Sequence, residues 1–504
     1  MSSTLDHVII TGGPVVPPVR QKFRITTIGN AAAVTPYHRL RHEVFVEEQG
    51  LFTGTDRDDY DDDPRTVVLL ACSTETPDTG APNTGEEGRA GASSVFPGIG
   101  RVLGGVRIHP MTSDGGAWPD LGWWRGGRLA VARDARGELG IGTALIRAAC
   151  AEAESRGAIR FDATVQAGNE QLFRRLGWVP REHIQLHGEP HVVVDWPIDR
   201  FRRLAQATKS SLGPLLGDLL VQDGWRGDDG APVPGTDVVA AADAILPSMV
   251  ERDPEWAGWC SVLVNVNDLY AMGATPVGLI DVLGARDASF ARRVLRGLAD
   301  AARAWGVPVL GGHTQLGVPA ALSVTALGRT DHPVPGSSAR PGHKLRVTAD
   351  LGGGWRPGYS GRQWDSSTSR TPAELRSLAD VVPELAPAAA KDVSMSGLVG
   401  TVGMLAEASG CRAILDVQAI PGPAGAVRAD WLTCFPGFAI VSAEEPGLHE
   451  PTGLPGFLTS AVCGEFVSGE GVALRWPDGV ITEAVTTVTG LGAVAQPVAE
   501  GNQR

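Results

Sequence analysis

Apolar and polar positions change their period repeatedly along the chain, which indicates alternating strands and helices. Short apolar runs bounded by turn residues, VVLLAC at 67–72 and LGGVRIHP at 103–110, predict strands. Further on, apolar residues recur at helical spacing, at Ile141, Ala144, Leu145 and Ala148. We therefore expect an α/β (α+β) protein built from mixed sheets that are covered by helices.

Glycine-, threonine- and proline-rich segments interrupt this pattern. Residues 74–93 predict a mobile hairpin insertion, and residues 352–372 predict a second mobile loop. The chain of 504 residues is too long for one core, and a helical pattern separates two α/β regions. The expected order is a tail at 1–20, a first domain at 21–200, a linker helix at 201–225, and two halves of a second module at 226–340 and 341–495.

Composition narrows the class of protein. The net charge is −13 and no basic stripe is present, so nucleic acid is not an expected partner. An acidic protein can still hold phosphates through backbone N–H groups or bound metal ions. The six cysteines are scattered without metal-ligand spacing, which indicates reduced thiols. With neither a signal-like segment nor an apolar run of membrane-spanning length, we expect a cytoplasmic protein without a membrane partner.

A strand, a glycine-rich turn, a helix and a second strand follow one another in the first half. GRLAV at 127–131 predicts the first strand, ARGELGIG at 135–142 the turn, and FDATV at 161–165 the next strand. A helix that opens on glycines presents free N–H groups and the positive end of its dipole, which suits a pyrophosphate. Gly140 and Gly142 would allow a close approach of the backbone to the phosphates. A tight structural turn is the alternative interpretation.

This order of elements, followed by FRRLGW at 173–178, resembles the GNAT family of N-acetyltransferases over residues 23–195. HEVFVEEQG at 42–50 is similar to the first-helix region of that family. The resemblance implies acetyl-CoA, with its pyrophosphate on the glycine-rich turn and its pantetheine against a splayed strand at GRLAV. The residues that it assigns to acetyl-CoA are Leu129, Val131, Arg136, Gly137, Gly140, Gly142, Asn169 and Phe173.

Two positions depart from the family pattern. The turn has one residue more than the usual spacing between Arg136 and Gly140, and Phe173 stands where many members carry a tyrosine that protonates the leaving thiolate. Transfer of an acetyl group to an amine also needs a base and an N–H donor for the developing oxyanion. The candidate bases are Glu47, Glu48 and His109, with a surface or packing role as the alternative for each.

Aspartates occur in two kinds of place. The run DRDDYDDDP at 56–64 predicts either a solvated acidic loop or a surface that attracts a cationic acceptor. In the second half, single aspartates stand beside glycine or small residues, at Asp228, Asp229, Asp268 and Asp392. Because Mg²⁺ prefers oxygen ligands and bridges phosphates, this second set predicts a site for a metal ion and a polyphosphate. Each aspartate alone is also typical of a cap or turn.

Four motifs in order, GDDGA at 227–231, NVNDLYAMGATP at 265–276, GGHT at 311–314 and KDVSMSG at 391–397, resemble the superfamily of AIR synthase, selenophosphate synthetase and thiamine-monophosphate kinase. The resemblance implies a PurM-like module of two α/β halves that binds ATP and Mg²⁺ and pairs as a homodimer through its first half. It assigns the metal to Asp228, Asp229, Asp268 and Asp392, a place near the nucleotide to Asp243, and ATP contacts to the turn Gly311, Gly312, His313 and Thr314. A turn histidine satisfied by its neighbours is the alternative for His313.

The whole chain resembles bacterial proteins in which a nitrogen-starvation-associated N-acetyltransferase is joined to an AIR synthase-like protein. That resemblance implies small-molecule nitrogen metabolism, and we expect a bifunctional enzyme that acetylates a small amine and activates a small molecule with ATP. One alternative is an active acetyltransferase with a non-catalytic nucleotide-binding and dimerising module, and another is a pair of binding modules. Selenide chemistry is not expected, because no cysteine lies between Cys150 and Cys260.

Overall fold

The chain forms two compact units in the computed structural model. The model describes residues 22–28, 31–74, 95–96, 100–111, 120–137, 140–216, 219 and 225–494. The first unit comprises residues 1–111 and 123–197, and the second comprises residues 112–122 and 198–504. The predicted tail and, apart from Thr74, the predicted hairpin insertion lie outside the described residues.

A mixed sheet is the framework of the first unit. Its strand order is β1-β2-β4-β5-β6-β8-β7, with β3 paired to β4, and only β5 and β6 are parallel. The predicted strands at 67–72 and 103–110 are confirmed as parts of β2 and β4. The strands are β1 Phe23–Ile28, β2 Val67–Ser73, β3 Val95–Phe96, β4 Gly100–Pro110, β5 Trp123–Val131, β6 Arg160–Gln166, β7 Val179–Leu186 and β8 Glu189–Trp196.

In the described part of the first unit, three helices pack on this sheet. They are α1 Ala31–Arg41, which continues as a π-helical turn His42–Glu48, α2 Ile141–Ser155 and α3 Glu170–Arg175. Helix α2 begins after Gly140, whose φ of 61° lies in the left-handed region that favours glycine. Ile141 and Leu145 are buried, as the helical spacing predicted.

Strands β5 and β6 separate part-way along their length. They pair only where Trp123–Gly126 lies opposite Arg160–Ala163, and residues 127–131 pair with β4 alone. Within this stretch Arg128 has a φ of 54°, beside a register shift in the pairing with β4. A bulge of this kind bends a strand and ends its pairing. The splayed strand expected at GRLAV is therefore present, and it opens a gap in the sheet.

Three sheets form the second unit. The first has the order β12-β11-β13-β10-β9, the second β17-β20-β14-β21-β18-β22-β23, and the third β15-β16-β19. The strands are β9 Ala231–Pro232, β10 Val238–Ile245, β11 Thr275–Ala285, β12 Val309–Leu316, β13 Ala321–Arg329, β14 Lys344–Ala349, β15 Gly354–Trp355, β16 Gln363–Asp365, β17 Ala389–Asp392, β18 Arg412–Asp416, β19 Phe435–Pro436, β20 Ala439–Glu444, β21 Thr459–Val467, β22 Val472–Arg475 and β23 Ile481–Val485.

Helices cover these sheets, and two of them approach each other closely. A Cβ atom at Gly297 of α8 would lie 1.8 Å from the backbone oxygen of Glu255 in α7, so only glycine allows this contact. The close packing fixes α7, the helix that carries Asp268. The helices are α4 Arg200–Thr208, α5 Leu212–Leu216, α6 Pro247–Arg252, α7 Pro254–Ala271, α8 Ala288–Trp305, α9 Pro372–Ser377, α10 Val381–Leu385, α11 Gly397–Ser409 and α12 Arg428–Thr433.

The predicted linker helix at 201–225 is replaced by the two short helices α4 and α5, which belong to the second unit. Phe201 and Ala205 form the buried face of α4. The Gly213 N–H donates to the Thr489 backbone oxygen at 2.8 Å. The helical pattern therefore reflects an amphipathic face of α4, which packs within the second unit.

The prediction of a mobile loop at 352–372 is wrong. This segment contributes β15 and β16 to the small sheet, and Trp364 is buried with its Nε1 donating to the Gly352 oxygen at 2.6 Å. Trp355 packs edge-on against Trp364, and Tyr359 is also buried. Glycine and serine suggested mobility, but the aromatic side chains bury enough apolar surface to order the segment.

Two smaller expectations can be compared with the structure. All six cysteines are free and buried, which agrees with the predicted reduced thiols. No helix in the described part of the chain is long and apolar enough to cross a bilayer.

Candidate active sites

A cavity of about 180 Å³ occupies the gap between β5 and β6. Its walls come from both strands, from α2 and α3, and from the segment after the π-helical turn. Among the described residues that line it, none is an aspartate or a glutamate. Three residues that were predicted to bind acetyl-CoA, Leu129, Asn169 and Phe173, are part of its lining. The cavity therefore lies at the splayed strands, with a lining of apolar and uncharged polar side chains and one arginine.

The glycine-rich turn lies at one end of the splayed strand. A Cβ atom at Gly142 would be 3.9 Å from Val131, so the end of β5 adjoins the first turn of α2. Gly137 and Gly140 both have positive φ, at 89° and 61°, and both face open space. Among the described residues no side chain caps α2, and this leaves its first N–H groups available to an anion.

Two of the three predicted bases lie away from the cavity lining, near this turn. Arg136 donates to both carboxylate oxygens of Glu48, at 2.5 and 2.8 Å, and this hydrogen bonding lowers the pKa of Glu48. The paired Glu48 is consequently a poor base, and Arg136 must change partner to reach a phosphate. Glu47 is exposed, 3.6 Å from Nε2 of His42.

The third predicted base, His109, is buried on β4 and is not among the lining residues of the cavity. Its ring stacks on Tyr60 with 3.8 Å between centroids. Burial, followed by the charge of Arg107, lowers the pKa of His109 to about 4. The structure therefore favours the alternative interpretation, a packing role.

Three aspartates of the acidic run at 56–64 are paired with arginines, so this part of the run is neither a solvated loop nor an open surface for cations. Asp56, Asp58 and Asp61 bind three arginines of the sheet and of α1. These contacts are Arg41 with Asp56 at 2.6 Å and with Asp61 at 2.5 Å, Arg107 with Asp58 at 2.6 Å, and Arg128 with Asp58 at 3.0 Å. The run is thus a structural ion-pair network, which the linear sequence concealed because the arginines are distant along the chain.

His191 is a cavity residue that sequence reasoning missed. Its Nδ1 lies 2.9 Å from the Glu189 backbone oxygen. Because a carbonyl oxygen only accepts, Nδ1 carries the proton of the neutral ring and Nε2 keeps its lone pair. In the pairing of β6 with β8, His191 is opposite Gln166, and the Gln166 side chain donates to Gln49. The Trp196 side chain donates to Glu154 of α2. Because side chains alternate along a strand, His191 lies on the face of the sheet opposite to Trp196. A single histidine in this part of the sequence carried no local signal for this.

Three of the four predicted metal ligands converge in the second unit. Carboxylate oxygens of Asp229, Asp268 and Asp392 lie within 4.8 Å of one another. They come from the turn before β9, from α7 and from the end of β17. Burial, together with the neighbouring carboxylates, raises the pKa of Asp268 and of Asp392 well above the usual range. Such a cluster is stable only when a cation or protons offset its charge.

One lysine and one further aspartate border this cluster. Lys391 Nζ lies 2.6 Å from Asp229 Oδ1 and donates to the Gly227 oxygen at 2.9 Å, so it fixes Asp229. Asp228 does not join the trio, and within the described part of the chain its two buried carboxylate oxygens lack a side-chain hydrogen-bond partner. Burial raises the pKa of Asp228 to about 6. Asp243 is close enough to raise the pKa of Asp268 by its charge.

The sequence GGHT, at Gly311, Gly312, His313 and Thr314, is not a turn. It lies in the middle of β12, which pairs in parallel with β11 at the edge of the five-stranded sheet. A Cβ atom at Gly312 would lie 2.3 Å from the Asp281 backbone oxygen, so glycine permits this close approach. Two adjacent glycines suggested a turn because they are weak strand formers, and the neighbouring strand overrode that preference.

Comparisons with known proteins agree with the two predicted modules. Residues 94–180 match the acetyltransferase (GNAT) domain, and residues 227–330 and 340–476 match the N-terminal and C-terminal domains of AIR synthase related proteins. The predicted fusion is thereby confirmed.

Relatives resemble the second unit. An uncharacterised protein of Synechocystis sp. is 38% identical over 44% of this chain and 70% of its own length. The thiamine-monophosphate kinase of Caulobacter vibrioides is 29% identical over 49% of this chain and 79% of its own. The match to the solved thiamine monophosphate kinase of Aquifex aeolicus covers 54% of this chain and 97% of the kinase chain. Its sequence identity is 19% and its TM-score is 0.40. The chain belongs to the AIR synthase related family through its second unit, and that unit is joined to a GNAT acetyltransferase domain.

Proposed function

We propose that the first unit transfers an acetyl group from acetyl-CoA to a small amine, and that the second binds Mg-ATP and activates a small molecule of nitrogen metabolism. The splayed strands with an uncapped glycine-opened helix support the first half of this proposal. The converging carboxylates support the second half, and they are the single observation on which it depends. The two activities in one chain would raise the local concentration of a shared intermediate.

Acetyl-CoA fits the first unit at the residues assigned from the sequence. The N–H groups after Gly140 would hold the pyrophosphate, aided by Gly137, Gly142 and Arg136 once this arginine leaves Glu48. The pantetheine would run along Leu129 and Val131 into the cavity, where Asn169 and Phe173 line the acyl end. The acceptor amine would enter from the opposite face of the sheet, the face of His191.

His191 supplies the base that the predicted candidates do not. Its Nε2 takes a proton from the ammonium group, and the neutral nitrogen then attacks the thioester carbonyl carbon. The carbon–sulfur bond breaks with its electron pair on the sulfur of coenzyme A, and the second proton of the nitrogen passes to water. Phe173 cannot donate a proton, so the sulfur leaves as the thiolate, which is a stable leaving group near neutral pH.

Replacement of this histidine tests the acetyltransferase. In His191→Ala, kcat/KM for acetyl transfer to a panel of primary amines should fall about 100-fold while acetyl-CoA affinity is kept, because a general base contributes to the chemical step. Added imidazole should restore part of the rate. His183→Ala is the matched control, because His183 is exposed on β7 and lies outside the cavity lining. An unchanged rate in His191→Ala would exclude the assigned base.

Mg²⁺ fits the second unit, since three buried carboxylates face one lysine. Asp229, Asp268 and Asp392 would hold the ion, with Asp228 as a nearby acceptor for its water ligands. The bound ion would neutralise charge on the triphosphate. Lys391 and the Asp392 N–H, which donates to Asp229 Oδ2 at 2.9 Å, keep Asp229 in place. Gly311, Gly312, His313 and Thr314 on β12 are the proposed ATP contacts.

A homodimer through the five-stranded sheet is part of this proposal. Large apolar side chains are exposed along β11 and β12, among them Val282, Leu310 and Leu316 at 50%, 59% and 51% exposure. An exposed apolar edge of this kind requires a cover, and a second copy offers the same surface. Leu310→Asp should yield a monomer by sedimentation velocity, and a dimer that persists in this variant would contradict the proposed interface.

Calorimetric titrations of the full chain separate the alternatives. Binding of both acetyl-CoA and Mg-ATP, with ATP turnover lost in Asp268→Asn, supports the bifunctional enzyme. Tight Mg-ATP binding without turnover across a metabolite screen supports the nucleotide-binding, dimerising alternative. Failure of acetyl-CoA to bind would contradict the assignment of the first unit.

A further inference from the structure

A second large cavity lies in the second unit. It has a volume of about 670 Å³, and four arginines are among its lining residues: Arg200, Arg203, Arg252 and Arg362. None of the described residues that line it is an aspartate or a glutamate. Leu204, Met249 and Phe435 supply apolar wall. A cavity with this lining attracts an anion that carries an apolar body.

The four arginines differ in what they contact. Arg200 lies 3.2 Å from Asp430 and Arg203 lies 3.0 Å from Asp199, so each has a carboxylate beside it. Within the described part of the chain, Arg252 and Arg362 have no carboxylate partner. Arg252 stacks on Tyr359 with its guanidinium carbon 3.9 Å from the ring centroid. The positive charge of these two arginines is therefore available to a ligand.

Tyr359 adds a polar group to the wall of this cavity. Tyr359 is 7% exposed and lines the cavity, yet its buried hydroxyl has no hydrogen-bond partner among the residues that the structure describes. A buried hydroxyl without a partner is unfavourable, and its usual explanation is a missing acceptor. A small movement of the Tyr359 side chain would let an oxyanion bound between Arg252 and Arg362 provide that acceptor.

The cavity lies close to the carboxylate cluster. Met395 lines the cavity three residues after Asp392, and Leu246 lines it three residues after Asp243. Three residues span at most about 10 Å of extended chain, so two walls of the cavity begin within that distance of the aspartates. A group bound in the cavity is therefore positioned beside the proposed nucleotide phosphates.

We propose that this arginine-lined cavity binds the substrate of the second unit, a small organic oxyanion, carboxylate or phosphate, on an apolar body. The role of the cavity as the site of the phosphoryl acceptor rests on the proposed ATP function. The binding of an anion in the cavity does not depend on that function. An oxygen of the bound anion attacks the γ-phosphorus of ATP. The bond from that phosphorus to the β,γ-bridging oxygen breaks, and its electron pair leaves with ADP.

Anion binding is tested on the full chain without nucleotide. Benzoate and phenyl phosphate are titrated by calorimetry, with benzyl alcohol as the neutral analogue and inorganic phosphate as the anion without an apolar body. At least one aromatic anion should bind saturably and at least tenfold more tightly than benzyl alcohol and inorganic phosphate. The more tightly bound of the two identifies carboxylate or phosphate as the group recognised.

Variants locate the binding. The double variant Arg252→Gln/Arg362→Gln should lose at least tenfold in affinity, and Tyr359→Phe about threefold, while Arg292→Gln, an exposed arginine of α8 outside the cavity, should match the unaltered protein. Both cavity arginines are exposed, so their replacement leaves the core intact. Equal affinity in all variants, or no binding of either anion, would overturn the proposal.

A parallel titration with Mg-ATP keeps the two proposals distinguishable. If Mg-ATP binds and neither aromatic anion does, the cavity proposal fails and the nucleotide function stands. If an anion binds in the cavity and Mg-ATP does not bind, the proposed nucleotide function fails while the anion site stands.

Discussion

Two groups of three aspartates, one in each unit, have opposite surroundings. In the first unit, Asp56, Asp58 and Asp61 face three arginines. Burial by itself would raise the pKa of Asp61. Hydrogen bonds and charge from Arg41 and Arg107 nevertheless hold this pKa well below its usual range. Negative and positive charges balance within this group, so it needs nothing from outside the protein.

In the second unit, the trio Asp229, Asp268 and Asp392 faces one lysine. Burial raises the pKa of Asp268 and of Asp392, and Lys391 only partly opposes it. This group retains an excess of negative charge in a buried place. The comparison teaches that charge balance in three dimensions separates a structural acidic cluster from a ligand site, because both consist of the same residue type.

The largest effect is expected when one carboxylate of the second group is removed. Asp268→Asn removes a carboxylate from the cluster and should lower Mg-ATP affinity or turnover by at least 100-fold, because each ligand of a small oxygen site is needed. Thermal stability without Mg²⁺ should not fall, because the replacement relieves repulsion. Acetyl-CoA binding and Asp331→Asn, an exposed change in the same unit, serve as controls. Undiminished Mg-ATP turnover in Asp268→Asn would contradict the comparison.

The equivalent replacement in the first group should instead lower the stability of the first unit. Asp61→Asn leaves Arg41 and Arg107 partly unpaired in a buried place, which costs about 3–5 kcal/mol for a buried ion pair. Denaturant unfolding followed by hydrogen exchange in peptides of β2 and β4 measures the loss. Asp62→Asn, with an 81% exposed side chain, is the matched control, and equal stability of the two variants would contradict a structural role.

The pH dependence of local stability should also separate the groups. The lowered pKa values of Asp58 and Asp61 stabilise the first unit above pH 4, and this contribution is lost as pH falls below that value. The raised pKa of Asp228, about 6, makes the second unit less stable as pH rises from about 4 through 6. Hydrogen exchange without metal should show these opposite trends, and Mg²⁺ should remove only the second. Parallel trends would refute the contrast.

The smallest expected effect concerns the exposed pair Arg136–Glu48, which belongs to neither group. Exposed ion pairs contribute little to stability, so Arg136→Gln should leave the melting temperature unchanged. If Arg136 moves to the pyrophosphate, coenzyme A affinity should fall about three- to tenfold, measured by calorimetry. Arg133→Gln is the comparison variant, and an equal affinity in both would exclude Arg136 from the phosphate site.

Local patterns predicted several elements of the first unit. The apolar run of β2, the helical spacing of α2 and the glycine before it depend on residues that are neighbours in the chain, so the sequence displays them directly. The four motifs of the second half located Asp229, Asp268 and Asp392 for the same reason. The linker and the loop at 352–372 were misjudged, because the surfaces on which Phe201 and Trp364 pack come from distant segments.

Sequence by itself determined the two modules and the glycine-opened helix, since each depends on short runs of neighbouring residues, and its motifs singled out the aspartates of the proposed metal site. Only the tertiary structure decided that the acidic run at 56–64 is neutralised, that Asp228 stands apart, that GGHT is strand, and that His191 and Tyr359 line cavities. These outcomes depend on which charged side chains, hydrogen-bond donors and cavity-lining residues the fold brings together from distant parts of the chain. Burial then sets their energy, because an unpaired group in a low-dielectric interior requires a partner that only folding or a ligand can supply.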